Sequence, residues 1–162
     1  MKTKLYAGLL AAVLLTVTAN AKLKSTALTG TWKYTEVKTT GPNAGTNSNP
    51  QPGLVIFTGT HYSAIRVSSD QPRPMLQDPT KASAAELLAV YGPFTANSGT
   101  YEISGGNLTI KSVVAKNPAG MAPGAFDEYS FKLQGNTLTL TSVRDARGPS
   151  ANPTTITLTR VE

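Results

Sequence analysis

The sequence predicts an all-β fold: an eight-stranded antiparallel up-and-down β-barrel with one short helix between the third and fourth strands. Three observations predict it. Apolar and polar residues alternate with period two along most of residues 31–161, the alternating runs are separated by glycine- or asparagine-bearing turns, and eight short strands left as a flat sheet would expose two unpaired edges that closure removes.

The predicted strands cover residues 31–39, 53–58, 61–68, 96–103, 108–115, 125–134, 137–144 and 154–161. GLVIFT meets HYSAIRVS across Gly59-Thr60, TYEIS meets LTIKSVV across Gly105-Gly106-Asn107, and YSFKLQ meets TLTLTSV across Gly135-Asn136. Each of these turns holds the residue types that tight hairpins require. The resulting order is a meander, and closure pairs the last strand, TITLTRVE, with the first, TWKYTEVK.

One segment departs from the β pattern. After the proline-rich loop QPRPMLQDP at 71–79, Ser83-Ala84-Ala85-Glu86 forms a capping box, and Ala84, Leu87, Leu88 and Tyr91 follow at i, i+3, i+4 and i+7 before Gly92-Pro93 ends the run. This predicts a short helix whose apolar stripe, Leu87, Leu88 and Tyr91, is buried as a lid on the end of the barrel.

The barrel is expected to be the whole mature protein, residues 22–162. Residues 1–21, MKTKLYAGLLAAVLLTVTANA, combine Lys2 and Lys4, an apolar run from Leu5 to Val17 and the small-residue pattern Ala19-Asn20-Ala21, the three parts of a secretory signal peptide. The run is shorter than the ~20 apolar residues of a membrane span. The expectation is therefore export to a periplasm or the exterior, with no stable membrane span after cleavage.

Composition excludes several kinds of chemistry. The chain has no cysteine, which removes thiol catalysis and thiolate metal sites, and a single histidine, His61, which removes multi-histidine metal centres. No cofactor or metal site is predicted. Loss of Lys2 and Lys4 with the leader lowers the formal net charge from +6 to +4, and the remaining basic residues do not cluster, so nucleic-acid binding is not expected. His61 follows a turn at a strand start, where an exposed polar residue is ordinary. Asp127 and Glu128 are adjacent in a strand and point to opposite faces, the wrong arrangement for two carboxylates sharing one substrate. No catalytic residue is assigned.

Several stretches, GTWKYTEV, GLVIFTGTHYSAIRV, ELLAVYGPFTANSGTYEI, Asn117-Pro118 and FKLQGNTLTL, follow one another from Leu28 to Glu162. In this ordered set the chain resembles the lipocalins, and more closely the bacterial and fungal lipocalin-like domain proteins. Transport lipocalins usually carry a disulfide and a helix after the eighth strand; this chain has no cysteine and places its helix elsewhere, so their retinoid or pheromone specificity is not carried over. The resemblance implies a structural plug, with Trp32 closing the narrow end, Arg160 lying across its indole and Gly30 allowing close backbone approach. Such a stack contributes about 0.5–2 kcal/mol.

Function is then sought in the lumen. If Trp32 fixes the parity of the first strand, Tyr34 and Glu36 share its face, and the matching choices on other strands place Ile56, Arg66, Tyr101, Tyr129, Phe131 and Leu140 around a mostly apolar cavity. That lining suits a small hydrophobic or amphipathic molecule whose oxygen-bearing or anionic head meets Arg66 and the phenols. The alternatives for Arg66 are an ion pair with Glu36 and an exposed position. Three functional readings stand at this point: an exported carrier of such a ligand, a ligand-free interaction or stress-related barrel with a filled lumen, and a cofactor-free isomerase or cyclase acting on an apolar substrate. The oligomeric state is not legible.

Overall fold

A computed structural model describes residues 26–162. The predicted leader, residues 1–21, lies outside the described residues. Ten strands follow in chain order: β1 (Gly30–Thr39), β2 (Gly45–Asn47), β3 (Gly53–Phe57), β4 (His61–Val67), β5 (Phe94–Ser104), β6 (Asn107–Ala115), β7 (Asp127–Gln134), β8 (Thr137–Asp145), β9 (Gly148–Pro149) and β10 (Thr154–Arg160). A helix α1 (Ala84–Tyr91) separates β4 from β5, and a single 3-10 turn (Pro118–Met121) follows β6.

Every neighbouring pair is antiparallel, and the sheet runs β10-β1-β3-β4-β5-β6-β7-β8, with β8 returning to β10. Eight long strands therefore close a barrel. The predicted pairing of first and last strands is present, with Trp32 opposite Arg160 and Tyr34 opposite Leu158. β2 and β9 are small additions at one rim, where they pair with the ends of β1 and β8. At two or three residues they are too short to leave a period-two signal.

Three register shifts interrupt the ladders, in β1 between Tyr34 and Glu36, between β5 and β6 beside Ser98/Gly99, and between β7 and β8 beside Glu128/Tyr129. The extra residues are Thr35, Val113 and Val143. Bulges of this kind increase local twist and re-aim the residues beyond them.

The core follows the inward positions. Leu28, Trp32, Val55, Phe57, Tyr62, Tyr101, Leu108, Ile110, Leu138, Leu140 and Leu158 form one buried cluster, with Tyr34, Ala64, Ile103, Tyr129, Phe131, Leu133 and Ile156 packed against it. Phe57 and Tyr101 meet edge to face with ring centroids 5.2 Å apart. Because β1 runs from the Trp32 end upward and its neighbours alternate in direction, the closed end gathers Trp32, Phe57 and Leu138, and the open end gathers the C-terminal ends of β1, β4, β6 and β8.

The helix begins as predicted. Ser83 caps it, its Oγ accepting from the Glu86 N–H while the Glu86 carboxylate accepts from the Ser83 N–H. The expected burial of its stripe is corrected: no residue of α1 is buried, Leu88 being 71% and Tyr91 51% exposed, with Leu87 half-buried. The helix is held at its C-terminal end instead. Lys116 Nζ donates to the carbonyls of Tyr91 and Gly92, and Arg73 Nη1 donates to that of Val90 at 3.4 Å. Polar tethers to the last turn position the helix without drawing its apolar side onto the barrel. No helix among the described residues is long and apolar enough to cross a membrane.

Candidate functional site

The closed end is built around Trp32, which is fully buried. Its indole Nε1 donates to the Leu28 carbonyl at 2.8 Å, and the Arg160 guanidinium lies over its ring, 4.1 Å from the centroid. Arg160 also donates from Nη1 to the Thr29 carbonyl and from Nη2 to that of Ala27, each at 2.6 Å. Gly30, at φ 133°, leaves room for this stack: a Cβ there would collide with the Glu162 carbonyl oxygen and lie 2.6 Å from Arg160 Nη1. The predicted trio Gly30, Trp32 and Arg160 thus forms one closed, hydrogen-bonded plug. Above it, packed side chains fill the lower lumen.

The predicted cavity lining divides. Tyr34 and Arg66 face inward at the same height, with the guanidinium carbon 5.7 Å from the centre of the phenol ring. Gly53 makes that approach possible, since a Cβ at this position would lie 2.6 Å from Arg66 Cβ and 2.8 Å from Tyr34 Cδ2. Tyr129 is also inward and shares its electrostatic environment with Tyr34, Tyr62 and Arg66. Tyr101, Phe131 and Leu140 belong to the packed core rather than to an open wall, and Tyr101 spends its hydroxyl on the Thr58 carbonyl at 2.7 Å.

Two parity assignments are corrected. Glu36 does not share the face of Trp32 and Tyr34, because the bulge at Thr35 shifts the ladder and sets Glu36 opposite the outward Thr157, while Val37 turns inward opposite Ile156. Ile56 is 42% exposed on the outer wall, since the pairing of Trp32 with Val55 assigns Val55 and Phe57 to the lumen. No Arg66–Glu36 ion pair occurs among the described residues.

Two half-open clefts lie at the open end. The first, about 380 Å³, is lined by Tyr34, Val37, Thr39, Arg66, Val67 and Thr154, with the loop around Asn43–Gln51 and Asp70 as its outer wall. The second, about 610 Å³, lies between the start of β5, the end of β6, the 3-10 turn and the β8–β9 tip; Phe94, Asn97, Ser112, Ala115, Phe126 and Asp127 are among its walls. Both volumes fall in the range of small-molecule sites.

Burial shifts the groups near these clefts. Burial pushes the Tyr34 phenol above its ordinary value, partly offset by the Arg66 charge. Burial does the same to Tyr129 more strongly, and the charge of Asp127 adds to it. Tyr62 is raised by burial, although its hydrogen bond with Ser112 Oγ at 3.0 Å works the other way. All three phenols are neutral donors at neutral pH. At the rim, partial loss of hydration lifts the Asp127 carboxyl above the usual carboxylate value, Asp145 reinforces the shift and Arg147 opposes it. Its neighbour Glu128 points the other way, into an ion pair with Arg144 at 2.6 Å.

His61 starts β4 at the closed end, exposed, its Nδ1 2.9 Å from Thr60 Oγ1, whereas Arg66 lies near the other end of the same strand. The two do not converge. Sequence reasoning missed Asn97, although a signal was present: with Tyr101 inward, period two carries residues 99, 97 and 95 to the same face, which makes Asn97 a polar residue at a lumen position.

The model of the lipocalin-like domain family matches residues 29–159, and the chain belongs to that family. No curated protein and no solved structure matches it. The fold is of a kind consistent with binding small hydrophobic ligands.

Proposed function

We propose that the protein is exported on the leader read in residues 1–21 to a periplasm or the exterior, where, as a member of the lipocalin-like domain family, it holds a small amphipathic molecule at the open end of the barrel. The anionic or oxygen-bearing head sits on Arg66 beside the Tyr34 phenol, and the apolar part rests on Val37, Val67 and the ring of Tyr34. The observation that carries this reading is the state of Arg66. Its guanidinium faces the 380 Å³ cleft and stacks over Tyr34, yet it makes no ion pair and no hydrogen bond among the described residues. A lumen-facing cation without a carboxylate is suited to supplying charge to a ligand.

The filled lower lumen favours a second reading, a packed barrel that acts through its surface, where Leu54 and Ile65 pair on the outer wall, each close to half exposed. Native mass spectrometry of residues 22–162 purified gently from source, compared with a solvent-extracted sample, separates the two. The amphiphile reading expects an extra mass that leaves on extraction, stabilisation by a panel of fatty acids, and about tenfold or greater weakening of that binding in Arg66→Ala. A clean apo mass with no stabilisation by the panel would overturn it in favour of the packed barrel.

A further inference from the structure

The Arg66 cleft lies at a split in the barrel wall. β1 pairs with β3 only through Gly30–Lys33, and β3 begins at Gly53, opposite Arg66 of β4. From Tyr34 upward, β1 therefore stands on one side of a gap and the end of β4 on the other, and Tyr34 and Arg66 meet across it. The connection between β1 and β3, residues 40–52, covers this gap and forms the outer wall of the cleft.

The two sides of the cover are held differently. On the β1 side, β2 pairs with Val37, Lys38 and Thr39. The Thr40 N–H and Oγ1 both donate to the Pro153 carbonyl, at 2.9 and 3.1 Å, and the Asn43 N–H donates to Asn152 Oδ1 at 2.9 Å. Gly41, at φ 90°, fits against the same turn, since a Cβ there would lie 2.7 Å from the Ala151 carbonyl oxygen. On the β4 side, the hydrogen bonds from residues 47–51 among the described residues both end on Asp70. Asn47 Nδ2 donates to its Oδ1 at 2.8 Å, and Gln51 Nε2 to its carbonyl at 3.5 Å. Asn47 is aimed there by its own Oδ1, which accepts from the Asn49 N–H at 3.0 Å. The crossing residues 48–52, SNPQP, include two prolines, which have no N–H to offer a ladder. Only at Pro52, whose carbonyl accepts from the Val67 N–H at 3.2 Å, does the backbone rejoin the wall.

We propose that residues 40–52 are a gate over the Arg66 cleft, hinged on the β1 side and at Pro52 and opened when the Asn47–Asp70 latch breaks. For its cargo the gate rests on the amphiphile reading: the ligand passes sideways between β1 and β4, beneath the raised cover. Opening breaks one ordinary hydrogen bond and one at the long limit of the range, both at an exposed site where water replaces them. Such an opening is local and leaves the ladders of the barrel intact.

The chain has no cysteine, so a single thiol introduced by Val37→Cys, which lies in the cleft directly opposite Asn47, reports opening without any ligand. In residues 22–162 its alkylation by N-ethylmaleimide is expected to quicken about fivefold or more when Asp70→Ala is added, and by less than about twofold with Asp70→Asn, which loses the same charge but keeps an acceptor for Asn47. Asn47→Ala, which breaks the latch from its other end, should match Asp70→Ala, and the two together should add nothing further. Equal alkylation with and without Asp70→Ala, or Asp70→Asn as fast as Asp70→Ala, would overturn the gate. Stopped-flow exchange of dodecanoate, in proteins without the added thiol, then tests the route. Association and dissociation should both be faster in Asp70→Ala than in Asp70→Asn, by a common factor. Equal exchange rates in the two, despite faster alkylation, would overturn the sideways path. Failure of dodecanoate to bind any form would count against the amphiphile reading, while the alkylation rates still decide the gate.

Discussion

At the closed end of the barrel the polar groups around Trp32 have partners: its indole N–H reaches the Leu28 carbonyl, and the Arg160 guanidinium serves two further carbonyls while covering the ring. At the open end Arg66, Asp127 and Asn97 Oδ1 have none among the described residues. The same eight strands build both ends, so the difference lies in how side chains are committed. One end spends its polar groups on holding the barrel shut, and the other leaves them without protein hydrogen-bond partners. Stability should therefore be sensitive to substitution at the first and indifferent, or even improved, at the second.

The largest effect is expected at Trp32. Trp32→Ala removes a fully buried indole from the centre of the plug and leaves a cavity, together with an unmatched Leu28 carbonyl, and is expected to cost about 3–5 kcal/mol. Urea denaturation followed by circular dichroism would measure it. A loss below about 1 kcal/mol would mean that the closed end does not set the stability of the barrel.

Arg160→Ala comes next. It strips the stack from Trp32 and frees the carbonyls of Ala27 and Thr29, but those carbonyls lie where water can replace the lost donors, so the expected cost is about 2 kcal/mol. Arg160→Lys sharpens the comparison. A point charge on a flexible stem cannot both cover the indole and reach two carbonyls, so lysine should recover less than half of the loss. Full recovery would show that charge alone, rather than the planar fork, secures the end.

The contrast between the ends also explains how legible each was. The eight long strands, the hairpin turns and the capped helix follow from local pattern and turn chemistry, because period-two alternation and glycine-bearing turns act within a few residues, whereas the Trp32–Arg160 pairing came from the family resemblance. The open end depends on register. A single extra residue at Thr35 moved Glu36 outward and Val37 inward, and no feature of TWKYTEVK announces a bulge. Ile56 failed for a related reason: GLVIF is apolar on both faces, so only its pairing with Trp32 decides which face is inside. The helix stripe was read correctly as a pattern, but amphipathicity states what a helix could bury and not whether a partner surface is within reach. Leu88 and Tyr91 remain exposed because Lys116 and Arg73 hold α1 by its carbonyls.

The smallest expected effect has the opposite sign, and it is the one that tests the comparison most closely. Asp127 is faced by Asp145 and Arg147 at the rim and by the phenols of Tyr62 and Tyr129 below, and its carboxyl is raised, chiefly by burial and then by Asp145. The folded state therefore holds this proton more tightly than the unfolded chain, whose carboxyl titrates near about 3.9. Stability contributed by the protonated form is present below that value and is lost as pH rises through the higher folded value. Asp127→Asn removes the charge without removing the shape. It should leave stability unchanged at acid pH and raise it at neutral pH by about a few tenths of a kcal/mol, solvent at the rim screening the remainder. Thermal melts of the two proteins between acid and neutral pH would read the difference. A variant that is more stable at neutral pH would mean that the open end carries this charge at the expense of the fold. A variant that loses stability would instead mark Asp127 as part of the structural framework, and the division between the two ends would fail there.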